Sequence, residues 1–574
     1  MSSLHQPASD GPPHAPAPSP GRPITPPSLR LPDAAAVILA GLLALAVFFR
    51  HQLGDGFTLL YGDRHDAVIE LSILEHWWNV LRGLESWSRT SYFHPVPNTL
   101  GYNDGYLLFG LLHSVWRSLG ADPFLSGELV NASLRALGFL AMFGLLRRAA
   151  GLAWPAALLG AVLFTLSNNL FIRGSHAQLF SIGFVPLLAW LLYCTGEALL
   201  AGRRAALLGW GGGFCVMFAA CLMTGFYMAW YFAWLSGTVL LAWIAVAGPA
   251  RRPMLRALRA QAVPLLGLAA LAVALNIPFL TLYLPKAAET GMHPWPHVLQ
   301  HTPTPLDMLN VGERNLLWGW LVRRLNDAIR PGFPAWSELM TGFPPLLLGL
   351  FFASLIWLAR GGRGLDPARL PLLRAVALAT LVTWALTLRW GDTTGWSLVY
   401  AYVPGARAAR VVARYQIFLA VPVVALAMVF LAAQAHRLAR PVLALLALVL
   451  VAEQLNRYAP LFLDRPLENA RLESVPPPPA ACRSFYVSAA RTESRFGEEV
   501  ANPYNHNTEA MLVAAVRHIP TINGISTFNP PLWPAAIPED PAYLAEVRAW
   551  AEHWGLQGLC ALDLRRFTWE EPPR

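Results

Sequence analysis

Residues 126–171 read SGELVNASLRALGFLAMFGLLRRAAGLAWPAALLGAVLFTLSNNLF. Its two apolar runs, 126–147 and 153–171, each approach the roughly twenty residues a helix needs to cross a hydrocarbon core. Only a short linker carrying Arg147 and Arg148 parts them, which is how a helical hairpin in a membrane reads. Working outward, similar runs stand at 34–49, 177–199, 205–223, 226–247, 260–284, 336–359, 371–389, 411–434 and 440–459, about eleven spans in all. Composition agrees: 55% of the 574 residues are hydrophobic and 13% charged, against roughly 25% charged in soluble domains.

The formal charge of +9 comes almost wholly from arginine. Laid on the spans, the arginines fall in every second loop: Arg147 and Arg148, Arg203 and Arg204, Arg251 to Arg259, Arg360 to Arg374, and Arg437 with Arg440. This is the bias of cytoplasmic loops, so the surplus reads as topology and not as nucleic-acid binding. It predicts a multi-pass protein of the cell (inner) membrane, with the N-terminus cytoplasmic and a long first outer loop, 50–125. Residues 461–574 then form an extracytoplasmic tail. The run 106–119 would rise only about 21 Å as a helix, too short to span, and is expected along or dipping into the interface. Residues 1–31 are proline-rich and polar, cannot bury a core, and are expected to be disordered. No small-residue cleavage pattern follows the run 34–49, which reads as a retained anchor.

The tail changes composition. Short apolar runs at Phe485 to Val487 and Leu559 to Leu562 read as strands, and 507–518 and 542–554 as helices. The expected fold is therefore an α-helical polytopic domain, 34–460, with a small α/β extracytoplasmic domain, 461–574. The cysteines show no CxxC or Cys/His spacing, which argues against a structural zinc site. Cys482 and Cys560 both fall in the exported tail, either bonded to each other or as two buried thiols.

Chemistry is sought in the first outer loop, dense in ionisable and aromatic groups. YGDRHD (61–66) sets Asp63 and Asp66 at the start of a helical stripe of Leu71, Leu74, Trp77, Trp78 and Leu81. Glu70, Glu75, His76, Asn79 and Arg82 lie mostly opposite, predicting an interfacial helix with tryptophans at headgroup level. Asp63 reads equally as an N-cap. FHPVPN (93–98) is stiffened by its prolines, and YNDGY (102–106) brings Asp104 to another helix start, where capping again competes with function. Together His65, His94, Asp63, Asp66 and Asp104 predict an acid/base cleft.

Against the general bias, PGARAARVVARY (404–415) puts Arg407, Arg410 and Arg414 at the outer end of the tenth span. Their spacing places them on one helical face. Cations so near a membrane core ask for an anion, and guanidinium groups suit a lipid phosphate or diphosphate, with snorkelling to headgroups as the alternative. Arg173 and His176, at another outward turn, either join that cleft or merely flank a span. The outer loop 285–335 carries His293, His297 and His301, but Pro294 and Pro296 interrupt a helix there, so a metal triad is not expected.

These features resemble the GT-C superfamily of multi-span glycosyltransferases, in particular a bacterial branch. The resemblance rests on Gly62-Asp63, Trp77-Trp78, Phe93-His94-Pro95, Arg410 to Arg414, SNNLFIRGSH (167–176) and VPGAR (403–407), and covers about residues 34–460. It implies sugar transfer from a polyprenyl-phosphate-linked donor to an acceptor on the outer face, a glycan, lipid or protein. Asp63 or Asp66 would be the base and Arg410 or Arg414 would hold the donor phosphate. Family members vary in their acidic pair, and a divalent cation is an open expectation. A lipid-linked-sugar transporter or flippase is one rival reading, although no internal repeat of broken helices is evident. A non-catalytic cell-envelope assembly protein on the same fold is another.

Overall fold

The computed structural model describes residues 29–334, 337–490, 505–533 and 538–571. The expectation of disorder falls mostly on 1–28, outside the described residues; the first helix already begins at Leu31. Among the described residues, nine helices are long and apolar enough to cross a membrane, and two shorter apolar helices, Pro345–Ala359 and Arg440–Ala452, complete the predicted set. The bundle packs Pro123–Arg148 on Trp154–Thr165, Val185–Leu200 on Arg204–Leu222, Phe226–Val246 on Leu370–Thr387, and Pro345–Ala359 on Ala420–Gln434. Ala262–Thr290 lies at the rim, with Val263 and Leu266 among its exposed apolar residues, as a lipid-facing helix requires.

The loops alternate between two ends. At one end Arg148 pairs with Glu197 at 2.8 Å, Gln261 donates to Gly202 O at 3.3 Å, and Gly151 lies against the Arg369 guanidinium. At the other end Gly62 N donates to Pro460 O at 3.1 Å, Arg389 N to Pro303 O at 2.9 Å, and Ala413 N to His301 O at 3.0 Å. The parity read from the arginines is thus the parity of the folded bundle.

Several spans shift their boundaries, three of them next to the site. The span expected at 336–359 starts at Pro345, since Pro344 and Pro345 suit a helix entry and not a helix interior. That at 440–459 stops at Ala452, where Glu453 is fully buried: its carboxylate accepts from Leu346 N at 3.1 Å, Leu347 N at 2.9 Å and Trp318 Nε1 at 3.0 Å, capping the neighbouring helix. The tenth helix begins at Ala420, after a short helix at Arg414–Phe418.

The helix Asp66–Leu81 is present but is not interfacial. It is buried along nearly its whole length between helices Leu107–Ser118, Pro123–Arg148 and, from the tail, Asn505–Arg517. Much of its polar face is paired inside the protein: Glu75 meets His113 at 2.7 Å and Arg117 at 2.8 Å, and Asn79 Nδ2 donates to Ala515 O at 2.7 Å. The amphipathic pattern had two partners available, membrane or tail, and the tail covers it.

In the tail, Ser484–Ala489 pairs parallel with Leu559–Asp563, which pairs antiparallel with Thr568–Glu570. Helices Asn505–Arg517 and Tyr543–Trp554 stand close to the predicted positions. Leu463–Asp464 pairs antiparallel with Leu59–Leu60, stitching the tail to the first loop. Cys482 and Cys560 are joined in a disulfide, which ties the start of the sheet to its second strand. Alkylation of unfolded, unreduced protein should therefore modify only Cys194, Cys215 and Cys221, with the tail pair reacting after reduction. Five reactive thiols before reduction, read by mass spectrometry, would contradict the bond.

Candidate functional site

At the end of the bundle that carries the tail, a turn before Asp66 is shaped by Gly62, whose φ of 106° suits glycine and whose absent Cβ leaves room for Ala67. Asp63 Oδ1 accepts from His65 N at 2.9 Å and from Asp66 N at 2.8 Å, so Asp63 is a capping group that orients the helix start. Asp66 projects outward with its side chain 46% exposed, which leaves it accessible to a reacting group.

Two imidazoles hold it. His65 Nδ1 lies 3.1 Å from Asp66 Oδ1, and His176 Nδ1 lies 3.0 Å from Asp66 Oδ2. Burial alone would raise the Asp66 carboxyl, but hydrogen bonds and charge from His176 and His65 outweigh it and keep the group far below the usual carboxylate range. In His65 burial opposes the proton, and Asp66 and Asp63 overcome it, so the imidazole is raised above its ordinary value.

The far side of His176 leads to arginine. His176 Nε2 is 2.8 Å from Glu338 Oε1, and the same oxygen meets Arg173 Nη2 at 2.6 Å and Arg414 Nη2 at 3.2 Å. Burial pushes Glu338 up, and Arg414, Arg173 and His176 hold it well below the carboxylate range. Arg173 is fixed by a second bond, Nη1 to Ser337 O at 3.2 Å, and the Arg414 guanidinium lies 5.4 Å over the Tyr227 ring. Asp66, His65, His176, Arg173 and Arg414 thus form one connected group with Glu338.

Other predicted members stand elsewhere. The three arginines do not share a helical face: Arg407 sits in a 3-10 turn, Ala406–Ala408, after Pro404 and Gly405, Arg410 follows in non-helical chain, and Arg414 opens a separate helix. Gly405, at φ 84°, breaks the path a helix would need. Arg407 is exposed over Tyr400, its Nε donating to Tyr400 O at 3.3 Å. Exposed Arg410 faces His293, whose imidazole burial lowers, helped by Arg410, His297 and His301, to about 4. Asp104 Oδ1 accepts from Phe226 N at 2.8 Å, capping the helix Phe226–Val246. Burial raises its carboxyl while that N–H and the charge of Arg414 pull it down. His94 belongs to the seam with the tail, its backbone pairing with Thr521 and its carbonyl accepting from Trp550 Nε1 at 3.0 Å.

Sequence reasoning missed Glu338, because residues 336–359 read as a span. The charge itself was the signal, since a carboxylate at a span's outer end beside two prolines argues for a later helix start. Glu70 was also passed over. It is buried one turn beyond Asp66, and burial, Asp66, Asp104 and Glu128 push its carboxyl well up. Both oxygens of Asp66 and Oε1 of Glu338 meet imidazole or guanidinium groups, while Glu338 Oε2 is buried without a hydrogen-bond partner among the described residues. Among the described residues no set of three or more His, Cys, Asp or Glu side chains gathers to hold a metal ion.

No protein-family model and no curated protein sequence matches the chain. Among solved structures it is similar to the Archaeoglobus fulgidus oligosaccharyltransferase in complex with Zn and sulfate. That match has 13% identity and a TM-score of 0.48 and covers 92% of this chain and 67% of that one. It is also similar to ArnT from Cupriavidus metallidurans in the apo state, at 13% identity and TM-score 0.41, covering 92% and 93% of the two chains. The form of ArnT bound to undecaprenyl phosphate matches at 14% identity and TM-score 0.36, covering 93% and 92%.

Proposed function

We propose that this chain transfers a sugar from a polyprenyl-phosphate-linked donor to an acceptor hydroxyl at the non-cytoplasmic membrane face. The observation that carries the reading is the chain of contacts from an exposed, ionised Asp66 through His176 to the buried Arg414 and Arg173. It supplies a proton acceptor and an anion-binding pair side by side, and the motif resemblance to the GT-C superfamily points the same way.

In the reaction, the acceptor oxygen attacks the anomeric carbon as the bond from that carbon to the phosphate oxygen breaks. The electron pair leaves with the lipid phosphate. Arg414 and Arg173 neutralise the charge that grows there. Asp66 takes the acceptor proton. A phosphate is a stable anion, so the leaving group needs no proton, and a weakly basic carboxylate suffices late in the step. Glu338 occupies the guanidinium pair that the phosphate would meet, and it yields or shares that pair when the donor binds.

Asp66→Asn, correctly inserted, should lower transfer by about 10²- to 10⁴-fold in membranes supplied with a lipid-linked sugar. Undiminished transfer by that variant would overturn the reading. Glu338→Gln leaves two guanidiniums without their carboxylate and should cost roughly 3–5 kcal/mol in denaturant unfolding. A polyprenyl phosphate should restore more stability to that variant than it adds to wild type, whereas equal gains would count against a phosphate at this position.

His65 yields a pH test. Its raised pKa means that its pairing with Asp66 stabilises the fold fully below about pH 6.5 and fades as pH rises through the folded value. Asp66, with its lowered pKa, stays ionised throughout that window. His65→Gln should therefore flatten the decline of Tm above about pH 6.5. A decline as steep as in wild type would place the titrating group elsewhere.

A further inference from the structure

Beside this group lies a cleft of about 600 Å³ that the transfer reading does not use. Its lining sets Arg314, Arg323, Arg324 and Arg457 against the carboxylates of Glu313 and Asp327, so positive charge dominates. The nearest opposite charges are loosely engaged: Arg323 Nε is 3.9 Å from Glu313 Oε2, with the arginine side chain 62% exposed. Such a pair is worth little and is readily given up to a better anion.

The floor of the cleft is rigid. Leu316 N donates to Leu455 O at 2.9 Å, Arg457 N to Arg314 O at 3.0 Å, and Asn315 Nδ2 to Glu453 O at 2.9 Å. Asn315 Oδ1 accepts from Leu317 N and Trp318 N, setting the start of the helix Gly319–Ile329 that presents Arg323 and Arg324. Two segments distant in sequence are thus locked together, and their arginines converge without having to be ordered by a ligand.

The cleft also has an apolar edge. Trp320 is 63% and Leu316 44% exposed beside the arginines, and Arg457 follows closely on the span Arg440–Ala452. Guanidinium groups alongside an exposed indole at the end of a membrane span suit an amphiphile whose phosphate lies at headgroup level. On its inner side the Arg314 guanidinium lies 5.8 Å over the Tyr458 ring, and that tyrosine also feels the charge of Arg173.

We infer that this cleft is a binding site for the phosphate headgroup of a membrane lipid, distinct from the Glu338 group. The inference concerns binding and stands whether or not the chain transfers sugar.

The test uses the purified full chain in detergent, followed by native mass spectrometry. The probes are short-chain phosphatidic acid, short-chain phosphatidylcholine and inorganic pyrophosphate. Phosphatidic acid should bind in preference to phosphatidylcholine, and Arg323→Gln with Arg324→Gln should weaken it about tenfold or more. The equally exposed pair Arg203→Gln with Arg204→Gln, at the opposite end of the bundle, should leave binding unchanged. Pyrophosphate competing with the lipid would show that the phosphoryl group alone is recognised; no competition would show that the lipid body is needed. Equal binding of both lipids, or an unaffected Arg323/Arg324 variant with wild-type Tm, would overturn the assignment.

Discussion

Oε1 of Glu338 receives Arg173, His176 and Arg414, groups that reach it from two other loops of the bundle. Each cation would be costly to bury alone, and the carboxylate would be costly without them. The loops that carry them are therefore mutually conditional: none can move far without leaving a charge unpaired. Asp66 extends the same set through His176, so the first long loop is tied to the helical bundle by electrostatics as well as by packing. A charge network of this kind contributes less to net stability than to geometry, because desolvation takes back much of what attraction supplies.

Around that set, uncharged polar groups do similar work. Asn168 Oδ1 accepts from Asn315 Nδ2 at 3.2 Å and from Asn456 Nδ2 at 3.0 Å, while Asn168 Nδ2 donates to Val311 O at 3.0 Å. These buried amides join a span end, a long loop and the segment leading into the tail. Asn169 adds a bond to Thr341 O at 3.2 Å, next to the loop that delivers Glu338. Buried amides that satisfy one another hold chain segments at fixed distances, which apolar packing alone leaves freer. The same locking of 314–316 against 455–457 that builds this knot also forms the floor of the arginine cleft.

The candidate site was partly legible in the residues. Asp66, His65, Arg173, His176 and Arg414 could be picked out because ionisable groups at the outer ends of apolar runs demand partners. Their partner Glu338 could not, since a hydropathy window averages one carboxylate into the apolar run that follows it. The arginine spacing of three and four was read as a helical face, yet Pro404, Gly405 and the short turn after them end regular structure before Arg410. Asp63 and Asp104, each open to capping or chemistry on pattern alone, both cap backbone N–H groups in the folded chain.

By itself the sequence determined the polytopic helical class, the positions of most apolar helices and the composition of the tail. Those features depend on segment length, apolar content and arginine bias, each local to a stretch of chain. Tertiary structure alone decided that the Trp77-Trp78 helix lies under the tail and not on the membrane, that Cys482 meets Cys560, and that Glu338 gathers two arginines and a histidine. The reason is physical: an amphipathic face or a lone charge specifies that it must be covered or paired. It does not specify by what, and the choice among distant partners is made only when the whole chain packs.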